Sequence, residues 1–431
     1  MRSKEILSPL KSSELLRNTS MLISGTALAQ LIPILIQPIL RRYYSPEIFG
    51  AYSVYISLVG ILSIVSSLKY ELAIVLPRND RMAINLFFLT LLVNLSFSGL
   101  LLIVIVIWVD KLLIFFNLSG SMRIYLYFVP VGIFFYSLYQ SINYWLIRKK
   151  EFFAVSLNKF YRRGAEGLFQ LIFKYVKLAH GIILGDIIGH MANTLTGFWQ
   201  GSKSGLNFSL VSLSKLRYVA GRYSEFPKFN AIPSFMSACS FLMPIIMINK
   251  FFSSEYTGYF DLSKLLLSIP LALISSSVSN VLLQRMTDNF RSKISLMKDI
   301  LMVLSIVLLI SVLEILIIQL FGVRLFEFIF GDRWGYSGEI SKILVWSYTL
   351  NFIVASFSAA FISLNKIKLL SIWQVIYFIS IMSLILFREH IFIDFIKVYV
   401  FIEILCYMIY IIVLARIIYI YERSLINRQD L

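Results

Sequence analysis

Windows of about 20 predominantly apolar residues recur along this chain, at roughly 19–40, 48–68, 83–108, 123–147, 156–177, 181–200, 229–249, 257–283, 299–321, 340–364, 369–387 and 391–415. A run of that length is what an α-helix needs to cross the ~30 Å hydrocarbon core of a bilayer, and a helix satisfies its backbone polar groups internally, as lipid demands. Twelve such runs predict an all-α polytopic membrane protein. Composition agrees: 58% of the 431 residues are hydrophobic and 15% charged, more apolar surface than a water-soluble fold could hide. The fifth run is the most polar, with Lys159, Arg162, Arg163 and Glu166 crowding its first half. Prolines 33, 38, 130, 233, 244 and 270 fall inside runs, where they kink helices whose freed backbone groups find partners in a bundle.

The net charge of +17 suggests nucleic-acid binding only until its distribution is read. Basic residues sit in short clusters between the runs, about 27 in one set of alternate loops against about 11 in the other. That bias puts the richer set, with both termini, in the cytoplasm, and requires an even number of spans. The predicted layout is a cytoplasmic segment 1–18, an N-lobe 19–200, a cytoplasmic linker 201–228, a C-lobe 229–415 and a cytoplasmic tail 416–431. Ala27-Leu28-Ala29 mimics a signal-peptidase site, but the apolar core before it is too short, so the first run reads as an uncleaved span.

Catalytic and metal chemistry find no support. Cys239 and Cys406 lie far apart inside apolar runs, and three histidines stand without clustered carboxylates, so neither a disulfide framework nor a metal centre is expected. Polar side chains instead concentrate in runs one, two, seven, eight and ten, among them Gln30, Ser53, Ser63, Ser240, Ser276, Ser347 and Asn351. Such groups are costly in hydrocarbon, which predicts a common hydrated cavity; the alternative is that each serine bonds its own helix. Run six carries Gly181, Gly185, Gly189 and Gly197 on one stripe, a surface that lets a neighbouring backbone approach closely. On the same run Asp186 and His190, four apart, either share a proton or ion or form a structural pair. Lys264 either pairs with Asp261 one turn away or stands as a cation for a phosphate-bearing substrate. Lys69 and Glu71 read as a gate or as residues snorkelling to the boundary. Glu166, Glu314, Lys342 and Glu403 receive no role.

An internal repeat organises the whole. Ser45-Pro46-Glu47-Ile48-Phe49-Gly50 and Ser253-Ser254-Glu255-Tyr256-Thr257-Gly258 share S-x-E-x-x-G, each following a Pro-containing polar run. Corresponding positions and the same predicted face imply two parallel six-helix repeats, as in transporters that bind substrate between lobes.

The stretch RRYYSPEIFGAYSVYISLVGILSIVSSLKYELAIVLPRND, with EFPKFNAIPSFMSACSFLMPIIMINKFFSSEYTGYFDLSKLLLSIPLALISSSVSNVL and FIFGDRWGYSGEISKIL, resembles Wzx-type O-antigen and exopolysaccharide flippases. These are polysaccharide-biosynthesis proteins of the multidrug/oligosaccharidyl-lipid/polysaccharide exporter superfamily. The resemblance implies twelve helices in two lobes around a central cationic cavity, in a bacterial inner (cytoplasmic) membrane. It implies transfer of undecaprenyl-pyrophosphate-linked oligosaccharide from the cytoplasmic to the outer leaflet by alternating access, without covalent chemistry. Substrate-binding candidates are then Lys264, Lys69, Gln30 and Asn351; Lys264 stands where relatives commonly carry Arg, which forfeits bidentate phosphate contact. No cofactor is expected beyond a proton or sodium gradient, with Glu71, Asp186 and Asp261 as candidate coupling or gating groups. Expected partners are the lipid-linked oligosaccharide, membrane lipids, a polysaccharide polymerase and a chain-length regulator, with no nucleic acid. Rival readings are a multidrug exporter of the related branch, which calls for carboxylates and aromatics in the cavity, and a membrane polymerase or glycosyltransferase, which calls for a sizeable outer loop.

Overall fold

The computed structural model describes residues 29–178 and 180–429; the predicted segment 1–18 and the opening of the first span, with Ser20, Ser24 and Thr26, lie outside them. The helices in chain order are α1 (29–43), α2 (Pro46–Ser66), α3 (Asp80–Phe116), α4 (Arg123–Arg148), α5 (Phe152–Tyr175), α6 (Gly181–Lys203) and α7 (Leu213–Arg222). They continue with α8 (Ile232–Phe251), α9 (Ser254–Ser292), α10 (Met297–Phe330), α11 (Gly335–Ser356), the short α12 (Ala359–Ser363), α13 (Ile367–Met382) and α14 (Phe392–Gln429). Short α7 and α12 apart, these are the twelve expected spans, and the described residues contain no strand. The protein is an all-α polytopic membrane protein of two lobes. Nine of the described helical segments are long and apolar enough to cross a membrane. The other three are α1, described over too few residues, α5 with its five charges, and α6 with its glycines, Asp186 and His190.

Two compact units emerge: the described residues up to Tyr44 with Val54–Phe235, and Ser45–Ser53 with Met236 onward. The opening turns of α2 thus belong with the C-terminal unit. The stretch expected as a cytoplasmic linker, 201–228, carries α7, because LSKLRYVAGR is amphipathic: Leu216 and Val219 are buried while Arg217 and Arg222 are exposed. Tyr70, in the α2–α3 connection, donates its hydroxyl to the Ala220 carbonyl at 3.0 Å and ties α7 to the first unit. Helix α14 passes the expected end at 415 and continues to Gln429, since no Gly or Pro interrupts it there.

In the first unit, Phe87, Ile142, Trp145 and Ile74 form the centre of the core. Arg148 closes one end: Nε and Nη2 donate to Asp80 Oδ1 at 3.1 Å, while Nη1 donates to the Pro77 carbonyl at 2.6 Å and the Val75 carbonyl at 3.3 Å. In the α5–α6 pair the glycine stripe acts as expected. A Cβ on Gly189 would meet the Arg162 carbonyl at 2.8 Å, and one on Gly185 the Glu166 carbonyl at 3.1 Å. Glycine here lets two backbones touch.

In the second unit the two repeat copies pack against each other. A Cβ on Gly50 would overlap the Ser254 carbonyl, and one on Gly258 the Pro46 carbonyl. Each glycine sits on the first helical residue of the other copy. Ser253 caps α9 by accepting from the Tyr256 amide at 3.2 Å. Phe49 meets buried Trp334 edge to face at 5.7 Å, so the first copy anchors in the second unit through an aromatic contact.

The serines that pointed to a common cavity are mostly spent locally. Ser53, Ser63, Ser240, Ser276, Ser347 and Ser356 each donate to a carbonyl three or four residues back in their own helix, at 2.8–3.1 Å. A hydroxyl satisfied this way needs no water, and serine content therefore does not mark a wet helix face.

Candidate functional site

Within the first unit a cavity of about 290 Å³ is lined by Ala29 and Gln30 of α1, Tyr136, Tyr139, Gln140 and Asn143 of α4, and Lys159, Arg162 and Arg163 of α5. The glycine stripe of α6 places it there. Because α5 lies directly on α6, Arg162 comes within 3.7 Å of Asp186, which is 1% exposed. His190 Nε2 stands 3.7 Å from the same carboxylate oxygen, and Tyr55 donates its hydroxyl to the other at 3.3 Å. Arg163 pairs with Glu166 at 2.8 Å. Tyr136 faces the His190 ring at 5.6 Å, and Gln140 donates to the Tyr136 hydroxyl at 3.3 Å. The wall is therefore cationic, with its two carboxylates set behind it. Arg162 faces Asp186 and Arg163 faces Glu166, while Lys159 adds a third basic group to the lining. Guanidinium and ammonium groups beside amides and phenols suit a ligand with phosphate oxygens and sugar hydroxyls.

The second unit holds a buried polar network. Glu403 of α14, 4% exposed, accepts from Tyr399 at 2.8 Å, Tyr377 at 3.0 Å and Tyr407 at 3.5 Å. Asn351 donates to the Tyr407 hydroxyl at 2.6 Å. Lys264 is buried, donates to the Phe241 carbonyl and lies 3.5 Å over the centre of the Phe241 ring. The carboxylates whose charge reaches it are Glu403 and Asp261. Phenol donors around a carboxyl group satisfy its oxygens away from water, and the Phe241 carbonyl and ring do the same for the ammonium.

The candidates from sequence thus separate into three places. Gln30 lines the cavity of the first unit, and Asp186 reaches its wall through Arg162. Lys264, Asp261 and Asn351 lie in the second unit, Lys264 and Asn351 around Glu403 and Asp261 on α9 beside them. Lys69 and Glu71 pair with each other at 3.6 Å in the α2–α3 connection, where Leu68 (φ +49°) and Lys69 (φ +60°) take the left-handed conformation. A tight turn of two strained residues explains why this triplet follows an apolar run. Three residues counted as loop charges, Lys159, Arg162 and Arg163, belong to helix α5 and to the cavity; taking these three from the 27 leaves about 24 against 11, so the charge bias survives. The signal for them was present as charges inside a run of spanning length. Glu403 gave only a lone carboxylate in an apolar run, and its tyrosines come from two helices, α13 and α14.

No protein-family model and no curated protein matches the chain. Solved structures do. One is the inward-facing conformation of a multidrug resistance MATE family transporter of the MOP superfamily, with TM-score 0.72 and 15% identity over 92% of this chain and 96% of that one. Another is the lipid II flippase MurJ in an inward closed conformation, with TM-score 0.69 and 13% identity over 94% and 91%. The MATE multidrug transporter DinF-BH aligns with TM-score 0.64 and 17% identity over 94% and 95%. The chain therefore has the fold shared by MATE transporters of the MOP superfamily and the lipid II flippase MurJ.

Proposed function

We propose that this protein is a multi-pass transporter that carries a lipid-linked oligosaccharide pyrophosphate across a bacterial inner membrane, from the cytoplasmic leaflet to the outer one. The carrying observation is the cavity wall: Lys159, Arg162 and Arg163 stand beside Gln30, Gln140 and Asn143, with no carboxylate among the described lining residues. Moving a diphosphate through bare hydrocarbon carries a desolvation cost of tens of kcal/mol by Born estimates. A polar, cationic surface replaces part of the lost hydration. The substrate class is an undecaprenyl-pyrophosphate-linked O-antigen or exopolysaccharide unit, with no covalent step. Both termini are cytoplasmic, by the bias of basic residues. A proton or sodium gradient drives the cycle, and among Glu71, Asp186 and Asp261 the group tied to the cavity wall is Asp186, through Arg162. A polysaccharide polymerase and a chain-length regulator are the protein partners of this reading.

The multidrug reading, raised by the structural neighbours, asks for a carboxylate open to an organic cation, whereas Asp186 is 1% and Glu166 8% exposed. Reconstitution separates the two. Proteoliposomes carrying a fluorescent polyprenyl-pyrophosphate oligosaccharide in one leaflet should lose quencher-accessible signal under an ion gradient, and Lys159→Gln/Arg163→Gln should slow this. Background flipping together with efflux of a cationic dye would overturn the proposal.

A further inference from the structure

The second unit carries a groove that the transport cavity does not explain. It has a volume of about 490 Å³ and is lined by Gln319 of α10, Lys342, Ile343 and Trp346 of α11, and Lys397, Val400, Phe401 and Ile404 of α14. We propose that this groove binds one anionic phospholipid from the leaflet at which α11 and α14 begin.

Its two ends differ in chemistry. Lys342 lies seven residues into α11 and Lys397 five into α14, so both are about 8–10 Å from their helix starts at 1.5 Å per residue. For a helix that starts at the aqueous edge of the headgroup layer, that distance reaches the boundary between headgroups and hydrocarbon. Further along the same helices the wall is apolar, and Trp346 and Phe401 are 49% and 60% exposed. On helices that cross a membrane, such faces meet acyl chains. Helix α10 supports this, since only 17% of its most apolar window is buried.

Both ammoniums are available. Lys342 pairs with Glu339 at 3.3 Å and Lys397 with Asp394 at 2.9 Å, each three residues away on its own helix and with the carboxylates 52% and 44% exposed. Exposed pairs of this kind hold a side chain weakly, so a phosphate between the two helices can draw both lysines inward. Gln319 donates to the Lys342 carbonyl at 2.8 Å and fixes α10 against α11 at that level. The described lining contains two cations and no anion, which favours phosphatidylglycerol over a zwitterionic lipid of equal chain length.

Delipidated full-length protein, titrated with phosphatidylglycerol or phosphatidylcholine and weighed by native mass spectrometry, tests this. Two basic groups near the surface predict a preference for phosphatidylglycerol of about tenfold to thirtyfold. Lys342→Ala/Lys397→Ala should abolish that preference, Lys342→Arg/Lys397→Arg should keep it, and Lys366→Ala/Lys368→Ala, elsewhere on the unit, should leave it unchanged. Equal binding of the two lipids, an undiminished preference in the alanine pair, or loss in the arginine pair would overturn the proposal. So would stronger retention of polyprenyl pyrophosphate through the same two lysines, which would reassign the groove to the substrate.

Discussion

Gly258→Ala should destabilise the second unit although alanine is the better helix former. Propensity alone favours alanine in a helix interior by about 0.8–1 kcal/mol. The added methyl, however, would overlap the Pro46 carbonyl oxygen and lie 2.7 Å from its carbon and 3.0 Å from its Cα. Carbon atoms rest at about 3.5 Å, so relief from 2.7 Å opens the crossing of α2 and α9 by at least about 0.8 Å. The obstacle is backbone, which cannot rotate away as a side chain can. Overpacking against rigid backbone costs up to about 3 kcal/mol, so after the propensity gain a net loss of up to about 2 kcal/mol remains, which lowers the melting temperature of a unit this size by up to roughly 8 °C. Thermal unfolding of detergent-purified variants, followed by tryptophan fluorescence, reads the change. Gly50→Ala should behave alike, since its Cβ would overlap the Ser254 carbonyl, and the double variant should fall short of additivity because one separation relieves both clashes. Gly99→Ala, with nothing within 4 Å of its Cβ, should raise stability slightly. Melting of Gly258→Ala at or above the parent temperature would refute the reciprocal packing of the repeat.

Three further outcomes follow from the side-chain arrangement. Glu403→Ala removes the acceptor of the buried Tyr399 and Tyr377 hydroxyls, so it should cost about 1–3 kcal/mol for each donor left unsatisfied in the same melting assay; Glu403→Gln, which keeps an acceptor, should cost less, and equal losses would sink the network reading. Arg148→Ala withdraws charge-assisted hydrogen bonds from Asp80 and the Pro77 carbonyl, a loss of about 1.5–3 kcal/mol for bonds to charged groups; hydrogen exchange across residues 70–80 should quicken, and unchanged protection would count against the clamp. Reporter fusions after Tyr44 and Ser119 should report the outer side and those after Lys150 and Lys293 the cytoplasm, with any single reversal breaking the topology.

Much of the architecture was readable from residue order. Helices in hydrocarbon must close their own hydrogen bonds, so apolar run length sets the number of spans, and α4 (Arg123–Arg148) falls within a residue of the run at 123–147. The glycine stripe of α6 foretold the close α5–α6 packing, because a missing Cβ has the same effect whatever the neighbour. The S-x-E-x-x-G repeat was visible as a pattern.

What the repeat touches was not visible. That Gly50 rests on Ser254 and Gly258 on Pro46 is a relation between segments some 200 residues apart, and nothing local encodes it. The same holds for the sites. Serine counts pointed to five helices, yet hydroxyls bond their own backbone as readily as water, so the count carried little about a cavity. The cationic wall came from α5, whose charges were visible inside a run of spanning length, but only packing on α6 brought Arg162 to Asp186. Glu403 was a lone carboxylate in an apolar run, and only the meeting of α11, α13 and α14 gives it three phenols, one of them held by Asn351. Sequence by itself determined the spans, because lipid acts on each helix separately; tertiary structure alone decided the sites, because a buried charge persists only where groups from several helices converge to compensate it.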